Sequence, residues 1–173
     1  DLTDIERAAA FLYLQRLAFG GKVRGRSFGV DTTQGLTFNI SRLEARLSRL
    51  HDRLADVIIE HLDWADCLRV YGRETTLFYL DPPYWGSEDD YGKALFVRDD
   101  FARLAAALAE TPGRFLLSIN DVPEIREIFA AFAQQPVMTT YSIAGGEHVQ
   151  PAAELLIARG VELGAAAPQA RLL

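Results

Sequence analysis

The chain has a single cysteine, Cys67, so an internal disulfide is ruled out and a reducing, cytoplasmic setting is expected. Cys67 lies in a helix-like run between Asp66 and Leu68 and reads as a small packed residue. No apolar run approaches the length of a membrane span, and no secretory leader is visible ahead of the opening Asp1-Leu2-Thr3-Asp4. The first residue is not Met, which points to a processed, trimmed or excised piece. His51, His61, His148 and the lone cysteine show no zinc-ligand spacing, so no metal site is expected. Neither a Gly-x-Ser-x-Gly elbow nor a Walker-type phosphate loop occurs. A net charge of −6 counts against a protein that coats nucleic acid nonspecifically.

What is present is 173 residues, 49% of them hydrophobic, enough for one sizeable core and too few for two ordinary domains. Thr3-x-x-Glu6 is a capping box, so a helix is expected from near Asp4 to Leu17, burying Ile5, Ala9 and Leu12. Residues 19–40 are turn-rich. Ser41-x-x-Glu44 opens a second helix with an apolar stripe of Leu43, Leu47, Leu50 and Leu54, expected to pack on the core. Val57-Ile58-Ile59-Glu60 reads as a short strand, residues 64–71 as a short helix, and Thr76-Leu77-Phe78-Tyr79-Leu80 as a buried strand. An acidic loop runs from Trp85 to Lys93. A helix capped by Asp99 or Asp100 follows, with Phe101, Leu104 and Leu108 inward, and Pro112-Gly113 ends it. Residues 114–119 are a strand, Asp121 caps the next helix with Pro123 near its start, and residues 136–143 and 152–158 pair as antiparallel strands. The tail from 160 is expected to be loose. Strands alternating with helices imply an α/β sheet.

The chemistry concentrates in Asp81-Pro82-Pro83-Tyr84, a stiff loop at the carboxyl end of a strand, where open α/β sheets bind ligands. An ionised Asp only accepts hydrogen bonds, so Asp81 can take one N–H of an exocyclic amine and the Pro82 carbonyl the other. Proline fixes φ and brings no competing N–H. Tyr84 can stack on the base face, worth about 1–3 kcal/mol. Such acceptors stabilise the positive charge that builds on nitrogen as it attacks a methyl group. The plainer alternative is a proline-rich turn with Asp81 as a cap. Between residues 16 and 30 lie Arg16, Lys22, Arg24 and Arg26 with no acid, and interleaved glycines. That loop suits phosphate contact, its alternative being an ordinary solvated loop.

In these residues the sequence resembles the Dam-type DNA adenine-N6 methyltransferases, the amino-methyltransferases with an Asp-Pro-Pro-Tyr motif. The likeness covers roughly residues 3–158. Residues 15–29 resemble the family's glycine- and arginine-rich segment, Leu62-Asp63-Trp64 its cofactor motif, residues 116–121 the strand after the catalytic loop, and Thr140-Tyr141-Ser142 with Glu154-Leu155-Leu156-Ile157 its closing hairpin. The resemblance implies an α/β, partial methyltransferase (Rossmann-like) sheet with flanking helices and an antiparallel carboxyl-terminal hairpin. Residues 1–160 would be the carboxyl-terminal portion of that domain, with about 16–40 facing DNA, and 161–173 a flexible tail. It implies S-adenosylmethionine as methyl donor and double-stranded DNA as partner, with the adenine flipped out of the duplex. Asp81, Pro82, Pro83 and Tyr84 would be catalytic. Asp63, Trp64 and Asp81 would meet the cofactor, and Arg16, Lys22, Arg24, Arg26 and Tyr141 the DNA. From spacing alone, Asp63-Trp64 reads equally as a helix N-cap followed by a core aromatic, and Tyr141 as a core strand residue. Ser118 and Asn120 are expected to support the site. The setting implied is bacterial or phage nucleoid, in a restriction-modification or related context.

One family element is not found, the Phe-x-Gly-x-Gly segment that wraps the methionine part of the cofactor. By resemblance, the strands it belongs to separate the Val57 strand from the Leu77 strand, so the Leu77 strand is expected to keep an unpaired edge. A second chain or a missing amino-terminal segment would then complete the sheet. Two alternatives stay open: an inactive, truncated relative serving as a DNA-binding or partner-dependent module, and methylation of a different amine such as cytosine N4. Related enzymes of the latter kind more usually carry Ser or Asn before the prolines.

Overall fold

The computed structural model describes residues 2–17, 40–89, 92, 94–142 and 149–164, with backbone alone for 16–17, 40–42, 140–142 and 149–152. The chain divides into two compact units, residues 1–61 and 62–173.

The first unit holds two helices, α1 (Asp4–Leu17) and α2 (Ile40–Leu54). The capping box forms as expected: the Glu6 carboxylate accepts from the Thr3 N–H at 2.8 Å, and the Glu6 N–H donates to Thr3 Oγ1 at 3.4 Å. The burial expected of these helices is not met. Ile5 and Ala9 are exposed, Leu12 is half-buried, and Leu47 and Leu50 stay about half exposed. The apolar stripe of α2 marks a face that wants cover, but helical spacing does not supply the cover. The strand expected at 57–60 is also absent. Ile58 and Ile59 are each 79% exposed, and residues 57–60 form no strand among the described residues. Strand structure needs a neighbour to satisfy its N–H and C=O groups, and an apolar run alone does not provide one.

The second unit contains α3 (Trp64–Tyr71), β1 (Leu77–Leu80), α4 (Arg98–Glu110), β2 (Arg114–Asn120), α5 (Pro123–Ile128), β3 (Ala133–Ser142) and β4 (Val149–Arg159). The four strands form one open sheet in the order β1-β2-β4-β3. β1 and β2 are parallel, joined by the crossover through α4; β2–β4 and β3–β4 are antiparallel. The sheet is therefore mixed α/β with an antiparallel closing hairpin, a partial methyltransferase-like fold. Among the described residues β1 is an edge strand with β2 on one side only, as expected, and Leu77 and Tyr79 are exposed.

Register places Phe78, Leu80, Phe115, Leu117, Ile119, Leu155 and Ile157 on one face. Against it pack Phe101, Leu104 and Leu108 of α4, Ile125 of α5 and Phe129 just beyond it, nearly all without exposure. This is the core, and Cys67 packs against it half-buried. Two helix starts differ from expectation. The N-cap of α4 is Val97, with Asp100 inside the first turn accepting the Val97 N–H at 2.9 Å. The N-cap of α5 is Val122, and Asp121 instead binds the Arg126 guanidinium at 2.6 and 2.7 Å. At α4 a carboxylate still meets the helix start, whereas at α5 the Asp121 carboxylate is taken by Arg126 in the last turn. Pro112-Gly113 ends α4 as read. A Cβ on Gly113 would lie 2.9 Å from both the Arg73 and Thr76 carbonyls, so no side chain fits there. Residues 165–173 of the tail lie outside the described residues; at 164, the Gly164 carbonyl accepts from Gln135 Nε2 at 2.7 Å.

Candidate active site

Asp81-Pro82-Pro83-Tyr84 emerges from the carboxyl end of β1, beside the parallel end of β2. Asp81 is exposed, and the prolines and Tyr84 are half-buried. Among the described residues, neither the Asp81 carboxylate nor the Pro82 carbonyl has a hydrogen-bond or ion-pair partner. The two acceptors that an amine requires are thus open, on a backbone that two prolines hold stiff.

The loop is held from its far end. The Asn120 side chain, at the end of β2, meets the Trp85 backbone twice: Oδ1 accepts the Trp85 N–H at 2.8 Å and Nδ2 donates to the Trp85 carbonyl at 3.1 Å. The Tyr84 hydroxyl donates to the Glu154 carboxylate of β4. Tyr84 and Trp85 both pack against the core, Trp85 at 5.2 Å between ring centroids from Phe101. Tyr84 to Ser87 makes a turn closed by the Ser87 N–H on the Tyr84 carbonyl at 2.8 Å. Gly86 sits third in it with φ +92°, the place where such a turn wants glycine.

The acidic loop is tied back as well. The Arg98 guanidinium lies 4.2 Å over the Trp85 ring and binds Glu88 at 2.9 and 3.1 Å. Glu88 also accepts the Gly86 N–H at 3.2 Å. Its carboxyl is held below the usual carboxylate range, first by its own backbone N–H and then by Gly86 and Arg98, against the opposing effect of burial. On β1 and β2, Tyr79 Oη and Ser118 Oγ are 2.9 Å apart, tying the strands just short of the loop.

The other expected residues fare unevenly. Asp63 is the N-cap of α3, its carboxylate accepting the Ala65 N–H at 2.9 Å. Trp64 is half-buried against the core, with the Arg103 guanidinium 5.6 Å above its ring. Both positions match the cap-and-core alternative, and the second Asp63 oxygen makes no bond within the described residues. Arg16 lies in α1 and Tyr141 in β3 opposite Gln150, but their side chains are outside the described residues, as are Lys22, Arg24 and Arg26 altogether. Among the described residues no cluster of His, Cys, Asp or Glu is arranged to hold a metal. Glu154, Trp85, Glu88 and Arg98 were not singled out from sequence. Glu154 had a visible signal, an isolated acid opening the apolar run Leu155-Leu156-Ile157.

The family model described as D12 class N6 adenine-specific DNA methyltransferase matches residues 1–143. The chain belongs to this family. A relative, named Type II methyltransferase M.CviBI, from Paramecium bursaria Chlorella virus NC1A, is 25% identical over 131 residues. That match takes in 74% of this chain and 50% of the viral protein, so the chain spans about half the length of the curated relative it matches. The matched family segment includes β1, the Asp81–Tyr84 loop, Asn120 and β3, while Glu154 lies beyond it. No helix among the described residues is long and apolar enough to cross a membrane.

Proposed function

We propose that this chain carries the base-binding and methyl-transfer centre of an S-adenosylmethionine-dependent DNA adenine-N6 methyltransferase. The observation that carries the reading is the open pair of acceptors, the Asp81 carboxylate and the Pro82 carbonyl, on a loop anchored at Tyr84 and Trp85. Asp81 accepts one N–H of the extruded adenine amine and Pro82 the other, which directs the nitrogen lone pair and stabilises the charge that develops on it. Tyr84 offers its ring to the base. The base must leave the duplex, because its amine is otherwise paired.

The residues present fit one end of the cofactor. The exposed Asp63 carboxylate keeps an oxygen for an adenine amine, and the resemblance assigns Trp64 and Asp81 to the same cofactor. When bound, the cofactor supplies an electrophilic methyl group. The sequence offers no counterpart of the Phe-x-Gly-x-Gly loop for the methionine end. We take the open outer edge of β1 as the place where further polypeptide, in the same protein or a second chain, completes the sheet. Arg16, Lys22, Arg24 and Arg26 contact phosphates and Tyr141 lies near the extruded base, in a cytoplasmic, nucleoid-associated protein.

The test is methyl transfer from labelled S-adenosylmethionine to DNA by the full-length protein. Asp81→Ala is expected to abolish incorporation into adenine, and full incorporation by that variant refutes the role given to Asp81. A second reading is a DNA-binding module without activity, which the missing counterpart of the cofactor loop in this sequence favours. Titration with labelled S-adenosylmethionine separates the two: tight binding supports the enzyme, no binding supports the module.

A further inference from the structure

We infer that Asn120 and Glu154 form a two-point latch that positions the catalytic loop, a role that rests on the reading of Asp81–Tyr84 as the base-binding site. These two residues are direct cross-strand partners in the β2–β4 register, so their side chains leave the sheet side by side. They fasten two consecutive loop residues: Glu154 takes the Tyr84 hydroxyl, and Asn120 takes both backbone groups of Trp85.

The loop needs such fastening from outside. Pro82 and Pro83 have no N–H, so they make the loop stiff without tying it to anything. A stiff segment anchored at one end by β1 can still swing as a unit about that end. Anchors at Tyr84 and Trp85 remove this freedom, and they fix where Asp81 and Pro82 present their acceptors. Glu154 is only 9% exposed. A carboxylate at that depth is retained where it has polar partners, and the Tyr84 hydroxyl is one of them. Asn120 uses its donor and its acceptor on the two backbone groups of one residue, Trp85, which an Asp or a Leu cannot do.

Glu154 and Asn120 are therefore positioning residues; neither touches the reacting atoms in this reading. Displacement of a catalytic group by about 1 Å costs up to about 100-fold in rate. Glu154→Ala is expected to lower kcat by about 10- to 100-fold with KM for DNA changed less than about threefold. Glu154→Gln, whose amide oxygen still accepts the Tyr84 hydroxyl, is expected to stay within about threefold of the parent. The double variant Tyr84→Phe with Glu154→Ala is expected to be no worse than the poorer single variant, because both remove one contact. Glu154→Gln as damaging as Glu154→Ala, or fully additive losses, overturns the latch in favour of a role for the charge itself.

A second measurement does not depend on turnover. Hydrogen exchange of the Trp85 amide is expected to be slow in the parent protein and at least about tenfold faster in Asn120→Ala. Equal exchange in the two overturns the latch. A parent protein that methylates no DNA sinks the functional reading, while the Trp85 exchange still decides whether the latch exists.

Discussion

Replacing Asp81 with Asn separates chemistry from stability. The carboxylate is exposed and has no partner among the described residues, so the substitution removes no bond from the folded state. Surface changes of this kind stay within about 0.5 kcal/mol. The catalytic cost has a different origin. Asn keeps the shape but carries no charge, and half of its polar end is an NH2 donor that opposes the amine it should accept. Loss of one preorganised acceptor facing a developing charge costs about 2.7–4 kcal/mol, or about 100- to 1000-fold in kcat. Urea unfolding and single-turnover methyl transfer on the same samples give both numbers. The expected pattern is an unchanged urea midpoint with kcat reduced by two to three orders of magnitude (about 100- to 1000-fold). A kcat within about threefold of the parent refutes the acceptor role. A stability loss above about 2 kcal/mol refutes it differently, by showing that the carboxylate holds the fold.

Other outcomes follow from the fold. Arg159 donates to the carbonyls of Ala109 and Gly113 at 2.8 Å and to that of Thr111, and sits 5.8 Å from the Phe115 ring. Arg159→Met keeps the apolar stem and orphans those carbonyls at the end of α4, so urea unfolding is expected to show a loss of about 2–4 kcal/mol. A loss under about 0.5 kcal/mol would mean the clamp carries no net stability. At Gly86 a Cβ meets nothing within 4 Å, so only the positive φ opposes a side chain. Gly86→Ala is expected to cost about 1–2 kcal/mol in thermal unfolding and Gly86→Asn less; equal costs would rule out backbone strain as the cause. Arg126 holds the Asp121 carboxyl below its ordinary range by hydrogen bonding first and by charge second. A depressed acid stabilises above its unfolded value, about 3.9, and loses that contribution as pH falls through the lower folded value. The stability gap between the parent and Asp121→Asn is therefore expected to be constant from pH 7 to about 5 and to close below about 4; a gap that widens on acidification contradicts the assignment.

Much of the candidate site could be read from the chain because its signals are local. A buried strand followed by Asp81-Pro82-Pro83-Tyr84 occupies adjacent positions, and proline dictates its own φ wherever it stands. Helix α3, the α4 face of Phe101, Leu104 and Leu108, and the Pro123 start of α5 were legible for the same reason. The place of β1 at the edge of the described sheet agrees with the family pattern. The failures are all matters of partnership. Val57-Ile58-Ile59 has strand composition and no ladder, and the leucine stripe of α2 has helical spacing and incomplete cover. Asp121 has the composition of an N-cap, yet Arg126 takes its carboxylate.

By itself the sequence determined the chemical identity of the loop and the order of the elements in the second unit, because both follow from dihedral limits and side-chain periodicity within a few residues. Only the tertiary structure decided what holds the loop. The β2–β4 register sets Asn120 beside Glu154, and the parallel β1–β2 pairing brings both to Tyr84 and Trp85. A one-residue slip would turn either side chain to the opposite face of the sheet, so its job is set by the pairing and not by its neighbours in the chain.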